Sequence, residues 1–144
     1  MKIRTITIED YDQIYKLWTS TPGMGLRSLD DSREGIECFL KRNPSTCFAS
    51  VGRDDRIDGV ILCGHDGRRG YIYHMAVSVE KRRCGIGTSL VDAAVEALRL
   101  EGIHKVALVA FVSNKEGNHF WESIGFSRRD DLVYRNKAIN MENR

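Results

Sequence analysis

Most of the chemistry available to this chain is gathered between residues 71 and 89. A β-rich run ends near Ser78, a basic turn with Lys81, Arg82 and Arg83 follows, and Gly85 and Gly87 open a helix. The first N–H groups of a helix have no intrahelical partner, and the helix dipole favours negative charge there. Gly85 and Gly87 have no Cβ, so an anion can come close to the backbone. Arg82 and Arg83 add positive charge, and Thr88 and Ser89 add hydroxyl donors. A pyrophosphate suits such a loop. Read alone, the two glycines fit a tight turn equally well, and the arginines a solvated charged turn. The spacing lacks the third glycine of a dinucleotide fingerprint and the Gly-Lys-Ser/Thr of a Walker loop.

The elements that must position this loop follow from periodicity. Residues 3–7 alternate and predict a first strand. Ile14, Leu17 and Trp18 share one helix face. Residues 21–25 break that helix, and a second carries Ile36, Phe39 and Leu40 before Pro44. Residues 47–51, 57–63 and 71–79 read as three consecutive strands. The strongest helix spans 85–100, with Leu90, Val91, Ala94 and Leu98 as its apolar stripe and Gly102 as its stop. A buried-type strand at 106–112, a short helix at 118–124 stopped by Gly125, and a final strand at 132–138 complete the order β-α-α-β-β-β-α-β-α-β. The fold class is α/β: a mixed, mostly antiparallel central sheet flanked by helices, with one β-α-β crossover.

Composition limits what this frame can be. The 144 residues predict one domain spanning 1–144. With 42% hydrophobic and 29% charged residues, the chain has globular composition, which excludes a disordered or fibrous protein. A net charge of +2 makes no whole-domain case for nucleic acid or an anionic membrane. The four cysteines, Cys38, Cys47, Cys63 and Cys84, are scattered without metal-ligand spacing and read as reduced thiols, and no metal is expected. No signal peptide and no run of ~18 apolar residues is present, so a cytoplasmic protein is expected.

Two stretches resemble one family. Residues 75–87, with Arg82, Gly85 and Gly87 at Gln/Arg-x-x-Gly-x-Gly/Ala spacing, resemble the signature of the GNAT (N-acetyltransferase) superfamily. The stretch from Asn114 through Trp121 to Gly125 and Phe126 resembles that family's Asn-x-x-Ala-x-x-x-Tyr-Glu-x-x-Gly-Phe. The resemblance implies the GNAT acyl-CoA N-acyltransferase fold and transfer of an acetyl group from acetyl-CoA to a primary amine by direct attack in a ternary complex. It implies that Arg82, Arg83, Cys84, Gly85, Ile86, Gly87, Thr88 and Ser89 hold the pyrophosphate. Met75, Ala76, Val77 and Ser78 would pair with the pantetheine arm, beside a splay between this strand and residues 106–112. A backbone N–H near Val77 would face the thioester oxygen. Asn114 would bond the pantetheine or, on its own chemistry, cap a helix.

The pattern breaks where acid–base groups are expected. Many members carry a tyrosine general acid where this chain has Trp121, which is grouped here with the cofactor-lining residues. A family glutamate base corresponds to Val109. Indole does not ionise usefully and valine not at all. The remaining candidates are Tyr71 and Tyr73, at positions where relatives carry Glu or His, and Tyr134 on the last strand. The two neighbours serve in proton transfer or simply line the cleft. Strand alternation puts Tyr71, Tyr73 and Met75 on one face and Ile72 and His74 on the other, leaving His74 as a core or helix-facing residue. Asp30 and Asp31 either attract a cationic amine or cap the second helix. His65 and Asp66 resemble a segment of a small bacterial subgroup whose acceptor is unassigned. A chain this close to the bare core builds its acceptor pocket from its own loops or from a second copy in a homodimer. The competing readings are a non-catalytic acyl-CoA-binding or sensing domain and a generic phosphate-binding domain.

Overall fold

The computed structural model describes residues 1–144. Five strands form one sheet in the order β1-β2-β3-β4-β5: β1 (Lys2–Thr5), β2 (Phe48–Val51), β3 (Ile57–His65), β4 (Gly70–Val77) and β5 (Val106–Ala107). The first three neighbour pairs are antiparallel and the last is parallel. Helices α1 (Tyr11–Thr19) and α2 (Arg33–Arg42) cover one face, and α3 (Ile86–Leu100) covers the other. A fourth helix, α4 (Lys115–Ser123), packs Phe120 and Trp121 against the α3 side.

Both faces of β3 are covered, so it is buried along almost its whole length rather than alternating. Val60 and Leu62 meet Ile14, Leu17, Trp18 and Ile36 on one side, while Ile61 and Cys63 meet Leu90, Val91, Ala94 and Leu98 on the other. Gly59 sets the distance of α3 from the sheet, because a Cβ there would lie 2.9 Å from Ile86 Cγ2 and 3.1 Å from Leu90 Cδ1. All four cysteines are free, and burial pushes the Cys47 and Cys63 thiols up to about 12.

Element ends follow local chemistry. β1 stops at Thr5, two residues before the expected end, because Thr7 and Asp10 start the entry to α1. The Asp10 carboxylate accepts the Thr7 N–H at 2.9 Å and both terminal nitrogens of Arg4 at 2.8 and 2.9 Å. Ser32 caps α2 by accepting the Gly35 N–H at 3.1 Å, so the cap is neither Asp30 nor Asp31. β4 ends at Val77, and a short 3-10 turn occupies 79–81.

Three expectations are corrected. The strand expected at 106–112 is paired only at Val106 and Ala107, opposite Gly70 and Tyr71. Two residues on, Tyr73 is an extra residue in β4: Leu62 pairs with His74, but Cys63 pairs with Ile72. Such a bulge bends a strand and breaks its ladder, and β5 leaves the sheet just before it. The strand expected at 132–138 is irregular and exposed at Leu132, Val133 and Tyr134. Its β-forming residues signal a fit to a pleated surface, but a strand exists only with a hydrogen-bonded neighbour. Residues 108–112, which follow β5 at the sheet edge, are themselves unpaired. Finally, α4 starts at Lys115 rather than 118, because Asn114 caps it.

Candidate active site

The splay at the end of β5 is the centre of the site. Antiparallel residues alternate between turning their backbone groups toward one neighbour and toward the other. The Ser78 N–H donates to the Asp58 carbonyl at 2.8 Å, so Ser78, Ala76 and His74 face β3. Met75 and Val77 therefore turn their N–H and C=O groups to the opposite edge, which β5 has already left. The Val77 carbonyl accepts the Arg82 Nε–H at 3.3 Å on that edge. The Val77 N–H remains a free donor there. Ala76 presents nothing to it, since its backbone faces β3 and its side chain is buried with the α1–α2 core. The Ser78 hydroxyl is buried without a partner.

The loop from Arg82 to Ser89 begins one edge of this opening. Arg83 and Gly85 have φ of +64° and +82°, in the left-handed region. No side chain caps α3, and the first helical bond runs from the Ser89 N–H to the Gly85 carbonyl at 3.0 Å. The N–H groups of Ile86, Gly87 and Thr88 thus have no partner in the chain. Three unpaired donors at the positive end of a fifteen-residue helix form an anion site by construction. Ile86 buries its side chain in the core, and Cys84 is exposed with its thiol 3.6 Å from the Arg82 carbonyl. Gly87 lies against α4: a Cβ there would sit 3.2 Å from Phe120 Cζ.

Asn114 caps α4. Its Oδ1 accepts the Gly117 N–H at 3.0 Å, the alternative its chemistry allowed. Trp121 is half-buried and packs edge-on between Phe120 and Phe126, each with ring centres 5.1 Å away. Val109 lies on the unpaired run after β5 and is exposed.

The bulge rearranges the expected faces of β4. Ile72 joins Met75 and Val77 on the α3 side. Tyr73 turns the other way and meets Phe39 of α2, with ring centres 5.4 Å apart, and Tyr71 at 4.7 Å. His74 faces the α1–α2 side as well, edge-on to Trp18 at 4.9 Å. The expected grouping of Tyr71 and Tyr73 with Met75, opposite Ile72 and His74, is thus corrected. Burial holds the Tyr71 and Tyr73 phenols above their ordinary value, and nearby Tyr134 pushes both in the same direction. Tyr71 and Tyr73 are therefore held as neutral phenols, able to donate a proton, with Tyr134 in the same neighbourhood.

Spacing gave no sign of the pair formed by Asp31 and His74. Asp31 is buried in the α1–α2 connector, and its Oδ1 lies 2.8 Å from His74 Nε2. Its Oδ2 accepts the Arg27 N–H at 2.7 Å, and its carbonyl accepts the Tyr11 hydroxyl at 2.6 Å. His65 and Asp66 instead shape the β3–β4 hairpin. Asp66 Oδ1 accepts the Arg68 and Arg69 N–H groups, both at 2.8 Å, and His65 Nε2 meets Glu101 at 2.7 Å. No three His, Cys, Asp or Glu side chains are gathered to hold a metal ion, and no helix is long and apolar enough to cross a membrane.

Comparison with known proteins gives this geometry a context. The model of the acetyltransferase (GNAT) family matches residues 11–126. N-alpha-acetyltransferase 30 of Homo sapiens is 35% identical over 102 residues, covering 67% of this chain and 28% of that protein. The chain thus spans under a third of that relative's length. Acetyltransferase SG1711 of Sodalis glossinidius (strain morsitans) is 25% identical over 139 residues, 96% of each chain. Among solved structures, Ard1 from Thermoplasma volcanium superposes with a TM-score of 0.77 at 20% identity, covering 88% of this chain and 82% of that one. PaiA N-acetyltransferase from Thermoplasma acidophilum, in complex with coenzyme A, gives 0.76 at 20% identity, covering 90% and 91%.

Proposed function

The chain belongs to the acetyltransferase (GNAT) family, and from that premise we propose that it is an N-acetyltransferase moving the acetyl group of acetyl-CoA to a primary amine. One observation carries the reading: the open β4 edge at Met75 and Val77 runs directly into the uncapped N-terminus of α3. An extended amide-bearing arm adds to such an edge as a strand would, while its phosphates meet the N–H groups of Ile86, Gly87 and Thr88. Arg82 and Arg83 neutralise part of that charge. The Val77 N–H is the donor for the thioester oxygen, whose negative charge grows as the amine attacks. Met75 and Val77 contribute through the backbone, so side-chain identity matters little there.

Direct attack in a ternary complex needs a neutral amine, an aligned thioester and a proton for the departing thiolate. Alignment alone supplies a large part of the rate. Tyr73, with Tyr71 and Tyr134 beside it, is the proton donor in this proposal. For the acceptor, the name of the N-alpha-acetyltransferase relative favours the α-amine of a polypeptide over a small polyamine. The whole chain, 1–144, acts as one catalytic domain located in the cytoplasm, and a homodimer adds the second wall of the acceptor pocket. Sedimentation velocity distinguishes the monomer from that dimer.

A binding-only domain draws support from Trp121 and Val109, which stand where relatives carry ionisable groups. Two measurements separate the readings. Calorimetry with acetyl-CoA reads binding, and thiol release across peptides and small amines reads turnover. Binding with turnover supports the transferase, binding alone supports the sensor, and no binding at millimolar acetyl-CoA overturns both.

A further inference from the structure

The tyrosines supply protons, but the attacking amine must lose one, and neither Trp121 nor Val109 can take it. We infer that His74, oriented by Asp31, is the base that accepts this proton. The inference rests on the acetyl-transfer reading and adds to it the group that reading lacks.

An ionised carboxylate only accepts hydrogen bonds, so the 2.8 Å contact to Asp31 Oδ1 places the ring hydrogen of neutral His74 on Nε2. The lone pair is then on Nδ1. That nitrogen has no hydrogen-bond partner in the chain and is not among the polar atoms sealed in the core without one. Asp31 is itself held firmly: the Arg27 N–H occupies Oδ2, and the Tyr11 hydroxyl anchors the Asp31 carbonyl. Trp18 fixes the ring plane from the edge. A buried carboxylate that sets the tautomer of a histidine and leaves its other nitrogen free is the orienter–base arrangement of general-base sites.

The bulge puts Tyr73 on the same face as this pair. In an unbulged strand, alternation would separate Tyr73 and His74 onto opposite faces. With the bulge, both lie on the α1–α2 side, one residue from the open edge that starts at Met75. In the step, the amine lone pair forms the new N–C bond and the C–S bond breaks with its electrons on sulfur. The proton leaving nitrogen passes to Nδ1, directly or through one water. The thiolate takes a proton from a tyrosine phenol, and the phenolate and the imidazolium exchange protons with solvent to restore both groups. Asp31 acts only through His74 and is a positioning residue.

The test is thiol release from acetyl-CoA over a panel of tetrapeptides and alkylamines with free amines. His74→Gln keeps an N–H for Asp31 but has no basic lone pair, and His74→Ala opens a cavity for an added base. Both variants are expected to lose kcat by about 100-fold with acetyl-CoA affinity unchanged. Added imidazoles of increasing basicity are expected to restore His74→Ala in proportion to their base strength, which mere refilling of a cavity would not do. Wild-type-like kcat in His74→Gln, or rescue independent of basicity, overturns the inference. If either variant fails to fold, the other decides. A wild-type enzyme that binds acetyl-CoA but turns over none of the panel overturns the acetyl-transfer reading, and the inference falls with it.

Discussion

At the scale of single residues, protonation state divides the polar groups into distinct roles. Tyr73 is half-exposed, yet what burial it has holds its phenol above the ordinary value, so it stays protonated at any physiological pH. A group in that state donates and does not accept. Tyr73→Phe removes the hydroxyl but keeps the ring against Phe39 and Tyr71. We expect kcat to fall about 10- to 100-fold while acetyl-CoA affinity measured by calorimetry is unchanged. An unaffected kcat would reduce Tyr73 to cleft lining. Asp10 is the opposite case. Its hydrogen bonds to Arg4 hold its carboxyl below the ordinary value despite partial burial. A carboxyl lowered in the fold stabilises fully above its unfolded value, ~3.9, and that contribution is lost as pH falls through the lower folded value. Asp10→Asn is therefore expected to lower the urea midpoint at pH 7 and to leave it closer to wild type near pH 2. A constant gap across that range would assign Asp10 a packing role instead. At Thr7 and Asp10 a capping-box-like spacing was legible in the sequence itself. The Asp31–His74 pair was not, because its members are 43 positions apart and strand alternation gives the face of His74 but not the connector residue that packs against it.

At the scale of elements, the cores of helices and strands were legible and their unpaired continuations were not. The stripes on α1 and α3 state their buried faces directly, because 3.6-residue periodicity survives any tertiary setting. Residues 106–112 and 132–138 have strand composition, but a ladder depends on a partner whose position composition does not record. The phosphate loop was read from its glycines, and the structure adds a constraint. At Gly87 a side chain would not only cover the donors of α3 but also press on Phe120, 3.2 Å from where its Cβ would stand. Gly87→Val is expected to abolish acetyl-CoA binding in calorimetry and also to cost about 1–3 kcal/mol of stability, because α4 must shift. Wild-type affinity in that variant would show the loop to be a turn and nothing more. Ser32→Ala makes the complementary change at the start of α2. It is expected to cost about 1 kcal/mol in urea unfolding without altering acetyl-CoA affinity. No loss of stability would mean that the α2 N-terminus is held by the connector rather than by its cap.

At the scale of the whole molecule, residues 142–144 at the C-terminus are bonded to the connector between α1 and α2. Asn143 Oδ1 accepts the Leu29 and Asp30 N–H groups, each at 3.0 Å, and its Nδ2 donates to Asp30 Oδ2 at 2.8 Å. The Ser28 N–H and hydroxyl add bonds to the Arg144 and Glu142 carbonyls, both at 2.7 Å. This clamp grips the connector immediately before Asp31, whose carboxylate holds His74. The connector is otherwise a turn-rich segment with little buried apolar surface of its own, the kind that opens locally at low free-energy cost. Asn143→Ala deletes three of the clamp's hydrogen bonds while leaving α1, α2 and the sheet intact. If each contributes about 0.5 kcal/mol net, exchange of the Leu29 and Asp30 amides should quicken by about 10-fold. Asp31 would then be held less firmly, so kcat/KM for the amine should fall while acetyl-CoA affinity, set on the far side of β4, stays the same. Unchanged amide exchange would mean that the connector is held by Asp31 and Tyr11 alone. Faster exchange with undiminished turnover would mean that His74 keeps its orientation without the clamp.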